Sequence, residues 1–240
     1  MPSETLQGVV LRHANYRERD RMLTLLTPDH GRVDVLARGC RRPNSPLMPA
    51  AELFVHGEFV VFRNNDRCTL TSCTLADTFF PLRLDPYRLT CGAYLLNLAL
   101  AAAQPEQAAA GLYSLLLEGL YHLTYCSDEA PLHTTCTFLL LFAAEIGYRP
   151  RLHHCVRCGK SLPEGVGAKL DVEAGGLCCP ACAKGAQEPL NAAQVSWLRT
   201  ALQAGFDTEQ RPADAPLFEA LRRYVESRLE MTIKASRLLP

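Results

Sequence analysis

Pro28-Asp29-His30-Gly31-Arg32-Val33-Asp34-Val35-Leu36-Ala37-Arg38 is the stretch that decides the fold of the first third of this chain. Its opening is a strong turn signal: proline presets φ, the Asp side chain bonds locally, and glycine accepts a positive φ. From Arg32 to Arg38 apolar and polar residues then alternate. Val33, Val35 and Ala37 fall on one face, the period of a strand with a single buried side.

Working outward, residues 22–27 form a strand-like run into the turn, and residues 8–11 are a β-branched run before them. Residues 52–63 and 67–78 read as two further strands around the hairpin turn Asn64-Asn65-Asp66. About five strands with tight turns predict a small closed barrel, for which the OB-fold is the commonest five-stranded architecture. The loop over residues 39–49 holds three prolines and a basic pair, so it is no central strand.

Past residue 89 the texture changes to Leu and Ala runs with helical spacing. Residues 89–103, 108–124 and 131–146 are each long enough for a helix, separated by Pro105 and the polar stretch 126–130. Helices resume at 191–205 and at 216–231, the latter behind Asp214 as N-cap. The Tyr94, Leu98, Tyr113, Leu117, Leu120 and Tyr121 stripe reads as core.

Between these helices stand two C-x-x-C pairs, Cys155/Cys158 and Cys179/Cys182, 20 residues apart. Two thiolates three positions apart in a tight turn can face one ion, and two such knuckles complete a tetrahedron. Glycines 159 and 185 follow the knuckles, where a left-handed residue is useful. Lys169-Leu170-Asp171-Val172 and Gly175-Gly176 read as the hairpin of a zinc ribbon. Four sulfurs leave no open position, so the zinc is structural. Three alternatives stay open: Cys178 in place of Cys179, a nitrogen ligand from His153 or His154, and a disulfide-exchange role for Cys179-Pro180-Ala181-Cys182. Cysteines 40, 68, 73, 91, 126 and 136 read as buried small hydrophobes.

The expected organisation is therefore α+β and multidomain: a barrel over 1–80, a helical domain over 81–154 and 186–240, and a four-cysteine zinc ribbon over 155–185 inserted into it. At 48% hydrophobic and 21% charged, the 240 residues suit a globular protein with a real core. The start of the chain has no signal-peptide pattern, and the longest apolar run, 138–144, is far short of a membrane span. A cytoplasmic, non-membrane protein is expected, and a reducing compartment suits the metal-type cysteines.

Formal net charge is zero, so attraction to nucleic acid must come from local clustering. Residues 89–148 hold no Lys or Arg against five acids, which concentrates positive charge in 12–42, 149–160 and the last helix. Of 25 basic residues 21 are Arg, suited to bidentate phosphate contacts. The DNA-contact candidates are Arg12, Arg32, Arg38, Arg41 and Arg42 on the barrel and Arg222 and Arg223 on the last helix. Around Gly39, glycine permits close backbone approach and Pro43 holds Arg41 and Arg42 away from the sheet. Tyr16, Phe54, Phe59 and Phe62 are the aromatic candidates for base stacking. Glu18 and Asp20, among arginines, read as ion-pair partners. Phosphate-binding loops, dinucleotide fingerprints, zinc-protease helices and nucleophile elbows are all absent from the sequence. No enzyme is expected.

The order of these pieces resembles the bacterial recombination mediator family RecO. The likeness runs through Gly8-Val9-Val10-Leu11, Tyr16, Glu18, Asp20, Leu25-Leu26-Thr27, Gly31-Arg32, and Ala37-Arg38-Gly39 with Arg41-Arg42 and Ser45. It continues in Cys91-Gly92-Ala93-Tyr94-Leu95 and in Phe138-Leu139-Leu140-Leu141 through Glu145-Ile146-Gly147-Tyr148-Arg149-Pro150 to Cys155-Val156-Arg157-Cys158-Gly159. Lys234-Ala235-Ser236-Arg237 resembles the family's basic Lys-Ser tail with one residue between. The resemblance implies an N-terminal OB-fold, a zinc ribbon set into a helical domain, and binding of single- and double-stranded DNA. It further implies annealing of complementary strands and, with RecR, loading of RecA onto DNA coated with single-strand-binding protein. A zinc-ribbon adaptor whose barrel is only structural, and a thiol oxidoreductase, are the competing readings.

Overall fold

A computed structural model describes residues 3–64, 67–126, 131–183, 189–208 and 213–239. The chain divides into two compact units. One comprises Met1–Leu84 with Leu96–Leu117, the other Asp85–Leu95 with Glu118–Pro240.

In the first unit, β1 (Ser3–Tyr16), β2 (Asp20–Thr27), β3 (Gly31–Ala37), β4 (His56–Asn64) and β5 (Arg67–Asp77) close into a barrel in the order β1-β2-β3-β5-β4. Every pairing is antiparallel except β3 with β5, where Val35 and Leu36 lie opposite Cys68 and Thr69. This is the expected OB-like barrel. The alternation read from β3 holds: Val33, Val35 and Ala37 are buried with Leu6, Val10, Leu23, Leu25, Phe59, Val61 and Leu70 in one core.

Two boundaries differ from expectation. β1 reaches Tyr16 because it serves two neighbours, β4 through Ser3–Val9 and β2 from Val9 onward, with a bulge between Val10 and Arg12. Its polar second half pairs with β2 but leaves the core, so it carries no apolar alternation. Residues 52–55 are not strand. A 3-10 turn, Pro49–Ala51, leads to Phe54, whose φ is +68. There the chain only touches β1, through Phe54 N–H to Val10 O (3.1 Å) and Val10 N–H to Val55 O (2.9 Å). Asn65 and Asp66 of the expected hairpin turn lie outside the described residues.

The helices α1 (Pro86–Ala102) and α2 (Ala110–Tyr125) contribute to both units. Within the first, the β2–β3 turn grips the linker between them: Arg32 N–H donates to Gln104 O (3.1 Å) and Ala109 N–H to Pro28 O (2.8 Å).

In the second unit, α3 (Pro131–Glu145) is buried almost all round, and the apolar run 138–144 makes up its second half. It packs with α4 (Ala192–Ala204) and α5 (Ala215–Arg228) around Trp197, Phe138, Phe142 and Phe218. Asn191 and Gln194 form a reciprocal capping box at α4. Asp214 caps α5 by accepting the Leu217 N–H, as the sequence predicts. A two-stranded hairpin, β6 (Lys169–Asp171) with β7 (Gly176–Cys178), stands between α3 and α4 in the chain. No helix among the described residues is long and apolar enough to cross a membrane.

Candidate metal centre and nucleic-acid interface

The hairpin brings two knuckles together. Gly159 N–H bonds Cys155 O (2.9 Å) at φ +74, and Cys182 N–H bonds Cys179 O (3.0 Å), so each pair turns its sulfurs the same way. Strand β7 delivers the second knuckle beside the first: Val156 N–H meets Leu177 O at 2.9 Å, and Cys179 N–H points at Cys155 Sγ at 3.3 Å. The Sγ atoms of Cys155, Cys158, Cys179 and Cys182 all lie within 4.8 Å of one another. Cys158 and Cys179 are 3.9 Å apart, and Zn–S bonds of about 2.3 Å in a tetrahedron require edges of about 3.8 Å.

The set therefore fits a tetrahedral thiophilic ion. Cys179 is the third sulfur, not Cys178, whose buried thiol bonds the Cys179 carbonyl instead (3.5 Å). Neither His153 nor His154 joins the set. Burial pushes the Cys155 thiol up, but N–H groups of Cys179, Cys158 and Arg157 aimed at its sulfur outweigh this and bring it to about 6. Hydrogen bonds with the Cys158 and Cys179 sulfurs push Cys182 up, to about 12. Four mutually close sulfurs resist full deprotonation unless a cation joins them. Glycine 185 lies outside the described residues. Of the other cysteines, 40, 68, 91 and 136 are buried, and 73 and 126 partly so.

The barrel arginines do not all meet. Arg38, Arg41 and Arg42 stand in the loop after β3, against the β1–β2 hairpin tip with Arg17 and Arg19, and all five are exposed. The loop is tied to that tip: Gly39 N–H donates to the Asp20 carboxylate (2.8 Å), Arg41 N–H to Arg19 O (3.1 Å), and the Arg41 guanidinium to Glu18 O (3.0 Å). The Asp20 side chain and the Glu18 carbonyl thus fix backbone here, and among the described residues neither Glu18 nor Asp20 is in the ion pair expected of it. Exposed Tyr16 lies in the same hairpin, under the Arg17 guanidinium at 5.3 Å. Arg12, on β1 opposite Thr24, is exposed and nearer the middle of its strand. Arg32, half-buried and opposite Leu26 at the start of β3, is six residues from Arg38, about 20 Å along an extended chain. Among the described residues, none of Arg12, Arg17, Arg19, Arg32, Arg38, Arg41 and Arg42 is in an ion pair.

Of the aromatic candidates, Tyr16 and Phe62 reach the surface, whereas Phe54 and Phe59 are core. Arg222 and Arg223 sit on α5 in the second unit with their charge engaged. Arg222 binds Glu226 (2.9 Å) and Glu219 (2.7 Å), and Arg223 binds Glu219 (2.5 Å). The sequence reading missed a clamp beneath the barrel loop, where Arg21 donates to Glu52 (2.7 Å) and Ala51 O (2.8 Å). Its partners are 31 and 30 residues away, with no local signal linking them.

Residues 1–79 match the family model described as recombination protein O N terminal, and residues 83–237 the one described as recombination protein O C terminal. A relative from Acetivibrio thermocellus, named DNA repair protein RecO, is 32% identical over 155 residues, covering 65% of this chain and 61% of that protein. One of the same name from Moorella thermoacetica is 30% identical over 176 residues, 73% of this chain and 65% of the relative. With both of these the match spans less than two thirds of the relative's length. A third, from Anaeromyxobacter dehalogenans, is 32% identical over 245 residues, 98% of this chain and 94% of that protein. Barrel, helical body and cysteine cluster stand in one chain that both models match in sequence order, and the chain belongs to the recombination protein O family.

Proposed function

We propose that this protein serves DNA repair by binding single- and double-stranded DNA through the barrel and annealing complementary strands without catalysing a covalent step. The observation that carries this reading is the group of five exposed arginines, free of carboxylate partners among the described residues, held at one end of a closed five-stranded barrel. Guanidinium groups there neutralise phosphates and leave bases available for pairing, with Tyr16 as a stacking face. Annealing requires no nucleotide hydrolysis. Asp20 and Glu18 serve by holding the arginine-bearing loop in a fixed shape before DNA arrives, which lowers the ordering cost of binding.

The ion of the four-cysteine cluster is proposed to be zinc. Held by Cys155, Cys158, Cys179 and Cys182 it supplies structure only, because four thiolates leave no site for water or substrate. The relatives' names and the family resemblance support a place in recombinational repair inside the cell. In that setting the protein acts with RecR on DNA coated with single-strand-binding protein to help load RecA.

The test is fluorescence anisotropy of a labelled single strand across a salt series. If about five phosphates are neutralised, log K should fall against log salt with a slope of roughly −3 to −4. Changing Arg38, Arg41 and Arg42 to Ala together should flatten the slope by about 2. An unchanged slope removes the loop from the interface, and no binding even at low salt sinks the proposal.

A further inference from the structure

A cavity of about 510 Å³ opens in the second unit between α4 and the segment leading into the first cysteine knuckle. Arg149, Arg151 and Arg199 line it with His153 and His154, and no carboxylate among the described residues does. The three guanidinium groups are held by backbone carbonyls: Arg199 by Leu152 O (3.0 Å) and Leu162 O (2.8 Å), Arg149 by Leu202 O (3.2 Å), and Arg151 by Ala174 O (2.7 Å). A carbonyl orients a guanidinium without cancelling its charge, and each group has five N–H donors, most of them unspent here. The Arg149 bond also caps a carbonyl of the last turn of α4. Among the described contacts none of the three arginines donates to a cysteine sulfur. Of the apolar residues that line it, Leu202 is half-buried, while Pro150 and Leu152 are buried.

A pocket of this size, lined by three arginines together with apolar side chains, fits a phosphate carrying a flat, weakly polar ring. We infer that it seats a nucleotide of a single strand, its phosphate on Arg149 and Arg151 and its base against Leu202, a contact additional to the barrel loop. The inference rests on the DNA-binding reading above. It adds the ligand class and the residues of a second site. Arg199 positions the segment through its two carbonyl bonds, so it is left intact in the test.

The experiment compares the zinc-loaded full chain, its Arg149→Ala/Arg151→Ala variant and the Arg149→Lys/Arg151→Lys variant in the same salt series with labelled oligothymidine. The Ala variant should retain its metal yet bind several-fold more weakly, with a slope flatter by about 1.4, and the Lys variant should recover the slope. In parallel, an iododeoxyuridine-substituted strand crosslinked to the unmodified chain should mark peptides 149–156 or 199–203. That readout needs no variant to fold. Strand binding unchanged in the Ala variant, with no crosslink in these peptides, overturns this inference while the barrel reading stands. No strand binding by the unmodified chain overturns both. Competition by inorganic phosphate as strong as by thymidine monophosphate at equal ionic strength overturns the nucleotide assignment, as does an acidic peptide that abolishes the crosslink as well as unlabelled strand does. Loss of the metal from both variants makes the arginines supports of the cluster and likewise overturns it.

Discussion

Replacing Gly31 with alanine should cost far more stability than replacing Gly39, although the two share nearly the same backbone, φ +60 and +66. At either position an L-residue in the left-handed region costs about 1–2 kcal/mol. About 0.4–1 kcal/mol of that is offset by stiffening of the unfolded chain. The surroundings separate the two. A Cβ on Gly31 would lie 2.3 Å from both the Gln104 and the Gln107 carbonyl oxygens, backbone atoms that cannot swing aside. The β2–β3 turn would have to leave the α1–α2 linker and break the Arg32–Gln104 and Ala109–Pro28 hydrogen bonds. Each bond contributes about 1 kcal/mol, and a buried donor left bare costs about 1–3 kcal/mol. The expected loss is therefore about 3–5 kcal/mol for Gly31→Ala. At Gly39 the nearest atom is the Arg42 Nε at 3.4 Å, on a flexible side chain, and the loss should be about 0–1.5 kcal/mol. Urea unfolding followed by far-UV circular dichroism measures both. The fluorescence of Trp197, the sole tryptophan and a residue of the second unit, serves as an internal control. Equal losses in the two variants, or less than about 1.5 kcal/mol for Gly31→Ala, would refute the argument that backbone crowding governs this turn.

Cys179→Ser should lower bound zinc below one per chain, whereas Cys178→Ser should leave it intact; metal analysis after gel filtration reads the difference, and the reverse pattern would exchange the two as ligands. Glu226 accepts from Ser236 Oγ (2.9 Å) and Ile233 N–H (3.2 Å) while pairing with Arg222, so it fastens the C-terminal turn to α5. Glu226→Gln should destabilise the second unit by about 2–3 kcal/mol in thermal unfolding, because Arg222 loses a nearly buried partner. Burial raises the Glu219 carboxyl, but hydrogen bonds from Arg222 and Arg223 outweigh it and hold the group below the usual carboxylate range. Its contribution is therefore present above about pH 4.3 and lost as pH falls through the folded-state value. The stability gap between the wild-type chain and Glu219→Gln should shrink on acidification, and a gap that stays constant would rule the pairing out as its cause.

The barrel was legible because its signals are local. Alternation over 31–37, turn residues at 28–31 and the β-branched run at 8–11 are properties of neighbours in sequence, and the pleat converts them directly into faces. What escaped were features with distant partners. The second half of β1 pairs but is not buried, and Phe54, at a positive φ, is tied to the distant β1 through its N–H. Arg21 reads like its neighbours Arg17 and Arg19 yet is spent on Glu52. One miss was local: Arg222 and Arg223 read as DNA-contact candidates, whereas Glu219 and Glu226, three and four residues away on α5, already pair with them.

By itself, then, the sequence determined a five-stranded barrel, a helical body and a four-cysteine cluster, since each is written in spacing: period two, period near four, and x-x between cysteines. Only the tertiary structure decided which of two adjacent cysteines completes the tetrahedron. It also separated the exposed barrel arginines from Arg21, which pairs with the distant Glu52, and it closed a cationic pocket from residues about 50 positions apart. The physical reason is that charge and coordination act through space at a few ångströms, and the distance between side chains is set by how the elements pack, not by their order along the chain.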